Sequence, residues 1–308
     1  MHAPRVGLAL GSGSARGWAH IGVIRALEKM GVRPHVVAGT SIGALVGAAY
    51  AMGKLRELEA WVLRLTRWDV IRLLDVRLTG GGLIEGERLR SFFLQHVPDT
   101  AIEDLPRPFA AVATELRSGR EVWFREGSVV EAVRASVAVP GLFTPAQIDG
   151  VWYVDGGITN PVPVSVCRAL GAEVVVAVDL NTYLVARHTP PDSRNVPVVS
   201  GPAAEWLRQA AARVPDGIRE RAGQLLHTVL GPRERPGLVD VVMGSLNILQ
   251  ERITRSRMAG DPPEVLISPR LAHIGLLEFE RAAEAIQEGR AAVERAATAV
   301  RDWLPGCR

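Results

Sequence analysis

Pro34-His35-Val36-Val37-Ala38 is a short apolar run, and Gly39-Thr40-Ser41-Ile42-Gly43 follows it without a break. Ala44-Leu45-Val46-Gly47-Ala48-Ala49-Tyr50-Ala51-Met52 then reads as a helix stopped by Gly53. A buried strand that turns directly into an apolar helix constrains the fold more than any other stretch. Such a strand needs neighbours in a sheet, and the helix must return across that sheet to bury its own apolar side. A serine on such a turn is pushed outward, and Gly39 and Gly43 let two backbones approach each other there. This is the setting of a nucleophile elbow. The bare G-x-S-x-G pattern is only a hypothesis; the strand and helix around it give it weight.

A similar unit precedes it. Arg5 to Leu10 reads as a buried strand, Gly11-Ser12-Gly13-Ser14-Ala15-Arg16-Gly17 as a flexible loop, and Trp18 to Met30 as a helix stopped by Gly31. The β-α-β-α opening argues for a three-layer α/β/α sandwich on a mainly parallel sheet. Residues 54–107 read as mostly helical, interrupted by Gly80-Gly81-Gly82 before a helix at Glu85. Phe109 to Leu116 and Arg120 to Phe124 read as a hairpin around Ser118-Gly119. A helix is expected over Val129 to Val137, and Val151 to Val154 reads as a strand entering Asp155-Gly156-Gly157. Pro161 to Leu170 reads as a helix, and Ala172 to Leu180 holds a central-strand candidate.

The pattern changes near residue 181. Pro190, Pro191, Pro197 and Pro202 mark a loop. Amphipathic helices are expected near 203–213, 216–230 and 239–258, then a strand at Val265-Leu266-Ile267 and one helix over roughly 276–303. The expected organisation is a catalytic core over 5–180, a basic helical insert or cap over 181–260, and a C-terminal strand and helix over 261–308 completing the same domain.

Composition excludes several classes. With 308 residues and 47% hydrophobic content, the chain can bury a large core and is not a disordered segment. Its net charge is only +3, and Lys29 and Lys54 are its only lysines among 36 basic residues. No basic face with interleaved aromatics appears, so nucleic acid is not an expected partner. Cys167 and Cys307 match no metal spacing and form no disulfide framework. No signal-type N-terminus and no apolar run of membrane-spanning length is read, so a cytoplasmic protein is expected. Contact with a membrane surface stays open. Val242, Leu246, Leu249 and Ile253 make an apolar side beside Arg252, Arg255 and Arg257, suited to core packing, a partner or a lipid interface. Oligomeric state is not legible.

A serine nucleophile needs a base beside it. Asp155 is the candidate, because it follows an apolar strand and Gly156 and Gly157 let the chain turn sharply behind it. Ligands gather at strand carboxyl ends in such sheets, where both Ser41 and Asp155 are expected. The loop Gly11 to Gly17 presents successive backbone N–H groups, a nest for an anion. Beside Ser41 it becomes an oxyanion hole, with Gly13 and Ser14 as the best donors, each worth about 3 kcal/mol of barrier. Arg16 is suited to brace the loop carbonyls or face an anionic headgroup. A lone carboxylate works as a base only if its pKa is raised, so Asp155 is expected to be partly dehydrated. His20 reads as a core histidine, Ser136 as structural, and Asn160 either as a partner of Asp155 or as the closure of a turn.

Taken together, residues 11–22, 38–48, 134–141 (Arg-Ala-Ser-Val-Ala-Val-Pro-Gly) and 154–163 (Val-Asp-Gly-Gly-Ile-Thr-Asn-Pro-Val-Pro) resemble the patatin-like phospholipases. The bacterial branch related to neuropathy target esterase is the nearest likeness, strongest over about 5–180. The resemblance implies a Ser41–Asp155 dyad without histidine and a glycine-rich oxyanion loop carried by Gly11, Ser12, Gly13, Ser14, Arg16 and Gly17. It implies hydrolysis of lipid esters, phospholipid or lysophospholipid, with no metal and no organic cofactor. The common pattern has glycine where Ser12 and Ser14 stand here. Three rivals remain. One is a Ser-Asp-His hydrolase using His188, His227 or His273. Another is a non-catalytic lipid-binding or regulatory module. The third is a dinucleotide-binding protein built on Gly11 to Gly17, although the second strand ends without the acidic residue that would hold a ribose.

Overall fold

The computed structural model describes residues 4–73, 99–183 and 238–304. The two opening units are present. β1 (Val6–Leu10) leads through the glycine loop and a 3-10 turn (Ser14–Trp18) into α1 (Ala19–Lys29), and β2 (Val36–Thr40) leads into α2 (Ile42–Ala51). Next come α3 (Leu55–Val62), α4 (Arg67–Leu73), β3 (Phe109–Glu115), β4 (Glu121–Phe124) and α5 (Val129–Ser136). β5 (Ala146–Ile148), β6 (Val151–Asp155), α6 (Val164–Ala169) and β7 (Val174–Val178) complete the middle of the chain. α7 (Leu238–Gly260), β8 (Val265–Ile267), α8 (Ala282–Arg295) and α9 (Ala297–Trp303) follow. The expected helices near 203–213 and 216–230, the Gly80-Gly81-Gly82 break, His188, His227 and Cys307 lie outside the described residues.

One mixed sheet runs β5-β6-β3-β2-β1-β7-β8, with β4 also paired to β3. The links β3-β2-β1-β7-β8 are parallel, while β4 and β6 meet β3 antiparallel. The period-two alternation of strand side chains sorts residues onto two cores. Leu8 and Leu10 of β1, Val37 of β2 and Val174, Val176 and Val178 of β7 pack with α1, α2 and α8. Ala9, Ala38, Val175 and Ala177 face the other way and pack with Val164, Val166 and Cys167 of α6. Helices therefore cover both faces of the sheet.

Two elements depart from the sequence reading. The Pro161 to Leu170 helix begins only at Val164, because the Pro161 carbonyl is taken by the Ser12 N–H at 2.9 Å. The single C-terminal helix is broken at Ala296, which lets Val300 and Leu304 turn into the core. β5 was not expected from the sequence.

The way β3 is shared positions everything that follows. Ala111 and Val112 pair with both β2 and β4, so those two strands lie on opposite edges of β3. Ala113 and Thr114 pair with both β4 and β6, so those also lie on opposite edges. β2 and β6 therefore occupy the same edge, one after the other. β2 runs with β3 and ends at Thr40; β6 runs against β3 and ends at Asp155. Their carboxyl ends point at each other.

Candidate active site

Ser41 sits where β2 stops, with φ 58° and ψ −126°, a left-handed backbone that a residue with a Cβ adopts only under constraint. The constraint is visible. The Ser41 N–H donates to Ser136 Oγ at 2.8 Å, and the Ser136 hydroxyl donates to the Val112 carbonyl at 2.6 Å. Ser136 thus fills the gap on the β3 edge between β2 and β6. The Ser41 carbonyl accepts the Ala44 N–H at 2.8 Å and starts α2. A Cβ on Gly39 would meet the backbone of Gly43 and Ala44, and one on Gly43 would meet the carbonyls of Leu10 and Gly11. The elbow glycines are needed for close backbone approach.

Asp155 ends β6 and is buried. Its Oδ1 accepts the Gly157 N–H at 2.7 Å, while Oδ2 has no hydrogen-bond partner among the described residues. Burial raises its pKa from 3.8 to about 6, opposed by the Ser41 hydroxyl and by the Gly157 N–H. Gly156 lies so close to the Val112 carbonyl that a side chain there would collide with it. Asn160 does not touch Asp155. Its carboxamide donates to Glu121 at 2.7 Å and its carbonyl accepts the Thr40 hydroxyl at 2.8 Å, so it fixes the end of β2 instead.

The glycine loop, expected to be flexible from its composition, is largely buried and is held by hydrogen bonds on both sides of the Gly13-Ser14 stretch. The Gly11, Ser12 and Ala15 N–H groups donate to the carbonyls of Val178, Pro161 and Leu276 at 3.0, 2.9 and 3.1 Å. His20 Nε2 donates to the Gly11 carbonyl at 2.8 Å; burial pulls that imidazole down to about 4, so it stays neutral. Arg16 Nε donates to the Gly13 carbonyl at 3.2 Å. The Arg16 guanidinium is itself buried, which lowers its pKa to about 10 despite the charge of Asp179. Gly17 packs directly under Ile42, with no room for a Cβ. Gly13 and Ser14 are left with N–H groups that carry no hydrogen bond among the described residues. Ser14 has φ 51°, so its peptide turns in the sense that forms an anion nest.

Two clefts meet at Ser41 and Ser14. One encloses about 710 Å³, partly open to solvent, between Trp18, Ile42, Leu45, Trp61, Leu65 and Phe279. Trp18 sits edge-on to Trp61 and Phe279, with ring centroids 6.3 and 5.9 Å away. The other encloses about 350 Å³ and is more polar, bounded by Ser12, Arg16, Asp155, Asn247 and Gln250 with Met243 and Leu246. Its α7 wall was missed in the sequence. Of the apolar side read there, Val242 and Leu249 are exposed while Leu246 lines the cleft, joined by Met243, Asn247 and Gln250, which were not read. Arg255 and Arg257 pair with Glu251 and Glu121. No motif marks the residues of this wall.

His273 is exposed and bonded to Glu284 at 2.6 Å, away from both clefts. Among the described residues, no group of three or more His, Cys, Asp or Glu side chains is arranged to hold a metal ion. No helix among them is long and apolar enough to cross a membrane.

Comparison with known proteins adds a consistent result. The sequence pattern of the patatin-like phospholipases matches residues 8–168. An uncharacterised NTE family protein of Mycobacterium tuberculosis is 35% identical over 335 residues, covering 95% of this chain and 91% of its own. Patatin-like phospholipase domain-containing protein 7 of Mus musculus is 33% identical over 185 residues, 58% of this chain but only 14% of that protein. Neuropathy target esterase sws of Drosophila melanogaster is 31% identical over 184 residues, 58% of this chain and 13% of its own.

Proposed function

Because the chain belongs to the patatin-like phospholipase family, we propose that it is a serine hydrolase of lipid esters in which Ser41 is the nucleophile and Asp155 the lone base. One observation carries this reading. A strained serine and a dehydrated carboxyl end two strands that face each other along one edge of β3, beside two unoccupied N–H groups.

The chemistry follows from those positions. Above its pKa, Asp155 takes the hydroxyl proton of Ser41, and Ser41 Oγ attacks the ester carbonyl carbon. The N–H groups of Gly13 and Ser14 hold the resulting oxyanion. The tetrahedral intermediate collapses, the C–O bond to the alcohol breaks, and the alcohol leaves with the proton from Asp155. Water then gives a proton to Asp155 and its oxygen attacks the acyl-enzyme, releasing the acid and restoring Ser41. The aromatic-walled cleft is suited to an acyl chain, and the polar cleft to the alcohol. Phospholipid or lysophospholipid esters fit that division, with the chain working at a lipid surface.

A fluorophosphonate probe and a panel of lipid esters test this. The wild type should be labelled and active, and Ser41→Ala should be neither. Labelling that survives Ser41→Ala would remove Ser41 from the mechanism. A wild type that takes no label and turns over no ester would favour a binding module instead.

A further inference from the structure

We infer that Gln250 on α7 recognises the leaving alcohol of the ester through its carboxamide N–H, selecting alcohols that carry further oxygen atoms. This rests on the hydrolase reading and specifies it.

The orientation of the Gln250 amide is set by its neighbours. Oε1 accepts the Ser12 hydroxyl at 3.0 Å and the Asn181 amide at 3.1 Å. An amide carbonyl has two lone pairs, so its acceptor side is fully used. Nε2 must then face the other way. There it presses on Gly157, where an added Cβ would collide with it and would lie 2.9 Å from Asp155 Oδ1. It carries no hydrogen bond among the described residues. Two N–H donors are thus held at the polar cleft next to the base, and only an acceptor can satisfy them. Asn247, one turn earlier on α7, lines the same cleft.

Ser12 stands where the resemblance puts glycine, and its hydroxyl helps to lock the amide. α7 itself lies beyond residues 8–168, so this wall is supplied from outside the region that marks the family. A glyceryl alcohol brings hydroxyl oxygens to this cleft while its acyl chain enters the apolar one. An alkyl alcohol of the same length brings none and leaves the amide without a partner.

The test compares kcat/KM for a monoacylglycerol and for the propyl ester of the same acid, which keeps the three-carbon alcohol but lacks its hydroxyls. In Gln250→Met the preference for the glyceryl ester over the propyl ester should fall about tenfold relative to wild type. Both substrates share Ser41, Asp155 and the oxyanion nest, so damage to those cancels in the ratio. A second variant probes the position of Nε2. Gln250→Glu puts a carboxylate beside Asp155 and should move the acid limb of the pH profile upward for both esters. An unchanged ratio in Gln250→Met, whether both rates fall together or neither falls, overturns the proposal alone. So does an unmoved acid limb in Gln250→Glu. A wild type that hydrolyses neither ester brings down the hydrolase reading and this proposal with it.

Discussion

The two walls of the cleft are built on different principles. The wall formed by Gly11 to Gly17, the elbow and Asp155-Gly156-Gly157 works through backbone: free N–H groups, a strained φ, and glycines pressed against carbonyls. The other, formed by α7 at the polar cleft and by Trp18, Trp61 and Phe279 at the apolar one, works through side chains laid in place by tertiary packing. A backbone device tolerates few residue types and leaves a pattern in the sequence. A side-chain surface tolerates many and leaves almost none.

The sharpest break in this comparison is a change at the motif wall that keeps its shape. Asp155→Asn retains the size of the side chain and removes the proposed base. Turnover should fall by about 10⁴-fold or more, with the fold intact. Ester kinetics beside a thermal melt check both halves of that statement, and activity near wild type would detach Asp155 from the chemistry.

The same residue sets the pH dependence. The pKa of Asp155 is raised from 3.8 to about 6 by burial, so kcat/KM should fall about tenfold per pH unit below that point and level off above it. Stability runs the opposite way. A raised carboxyl pKa means the folded chain holds this proton more tightly than the unfolded chain. The stabilisation is complete below about pH 4 and is lost as pH climbs through about 6. At pH 8 the buried carboxylate costs roughly 3 kcal/mol. Asp155→Asn should therefore gain stability over wild type as pH rises from about 4 to 8, read as a widening gap in denaturant midpoint. A gap that does not change with pH would mean the carboxyl is not desolvated.

The difference between the walls also explains how far the sequence could be read. β1, β2, α2 and the Ser41 turn follow from apolar runs bounded by glycine, and the structure has them within a residue or two. Gly13 and Ser14 were expected as donors because the residues around them are small, and the structure leaves both N–H groups without a hydrogen bond among the described residues. That the loop is buried was not recognisable: it depends on the carbonyls of Val178, Pro161 and Leu276, which arrive from three distant segments. Gln250 had no local signature for the same reason. Its role depends on Ser12 and Asn181, far away in the chain. Ser136 was read as structural, and the bridge it makes between Ser41 and β3 is a matter of tertiary contact alone.

Two alanine substitutions measure the contrast in rigidity. In Gly43→Ala the new methyl meets the carbonyls of Leu10 and Gly11, which belong to β1 and the glycine loop and cannot yield separately. A loss of about 3 kcal/mol or more is expected. In Gly157→Ala the methyl meets the ends of two side chains, the Gln250 amide and Asp155 Oδ1, and the amide must leave Ser12 and Asn181 to make room. A loss of about 1 to 2 kcal/mol is expected, smaller than for Gly43→Ala, together with a loss of discrimination between glyceryl and propyl esters. Chemical denaturation of both variants gives the comparison directly. Equal losses would mean that the α7 wall is as rigid as the motif wall.

Ser14→Gly gives the smallest effect and is the finest test of the backbone argument. Ser14 holds φ at 51°, where a side chain costs free energy and glycine does not. Its hydroxyl makes no hydrogen bond among the described residues, so little is lost with it. Glycine is also more flexible when unfolded, which offsets part of the gain. A net stabilisation of about 0.5 to 1 kcal/mol is expected. Turnover should stay within about threefold of wild type, because the proposed oxyanion donor is the backbone N–H, which survives the substitution. A large loss of activity in a stabilised variant would show that the hydroxyl itself meets the substrate where the two clefts join, and the motif wall would then work through a side chain as well.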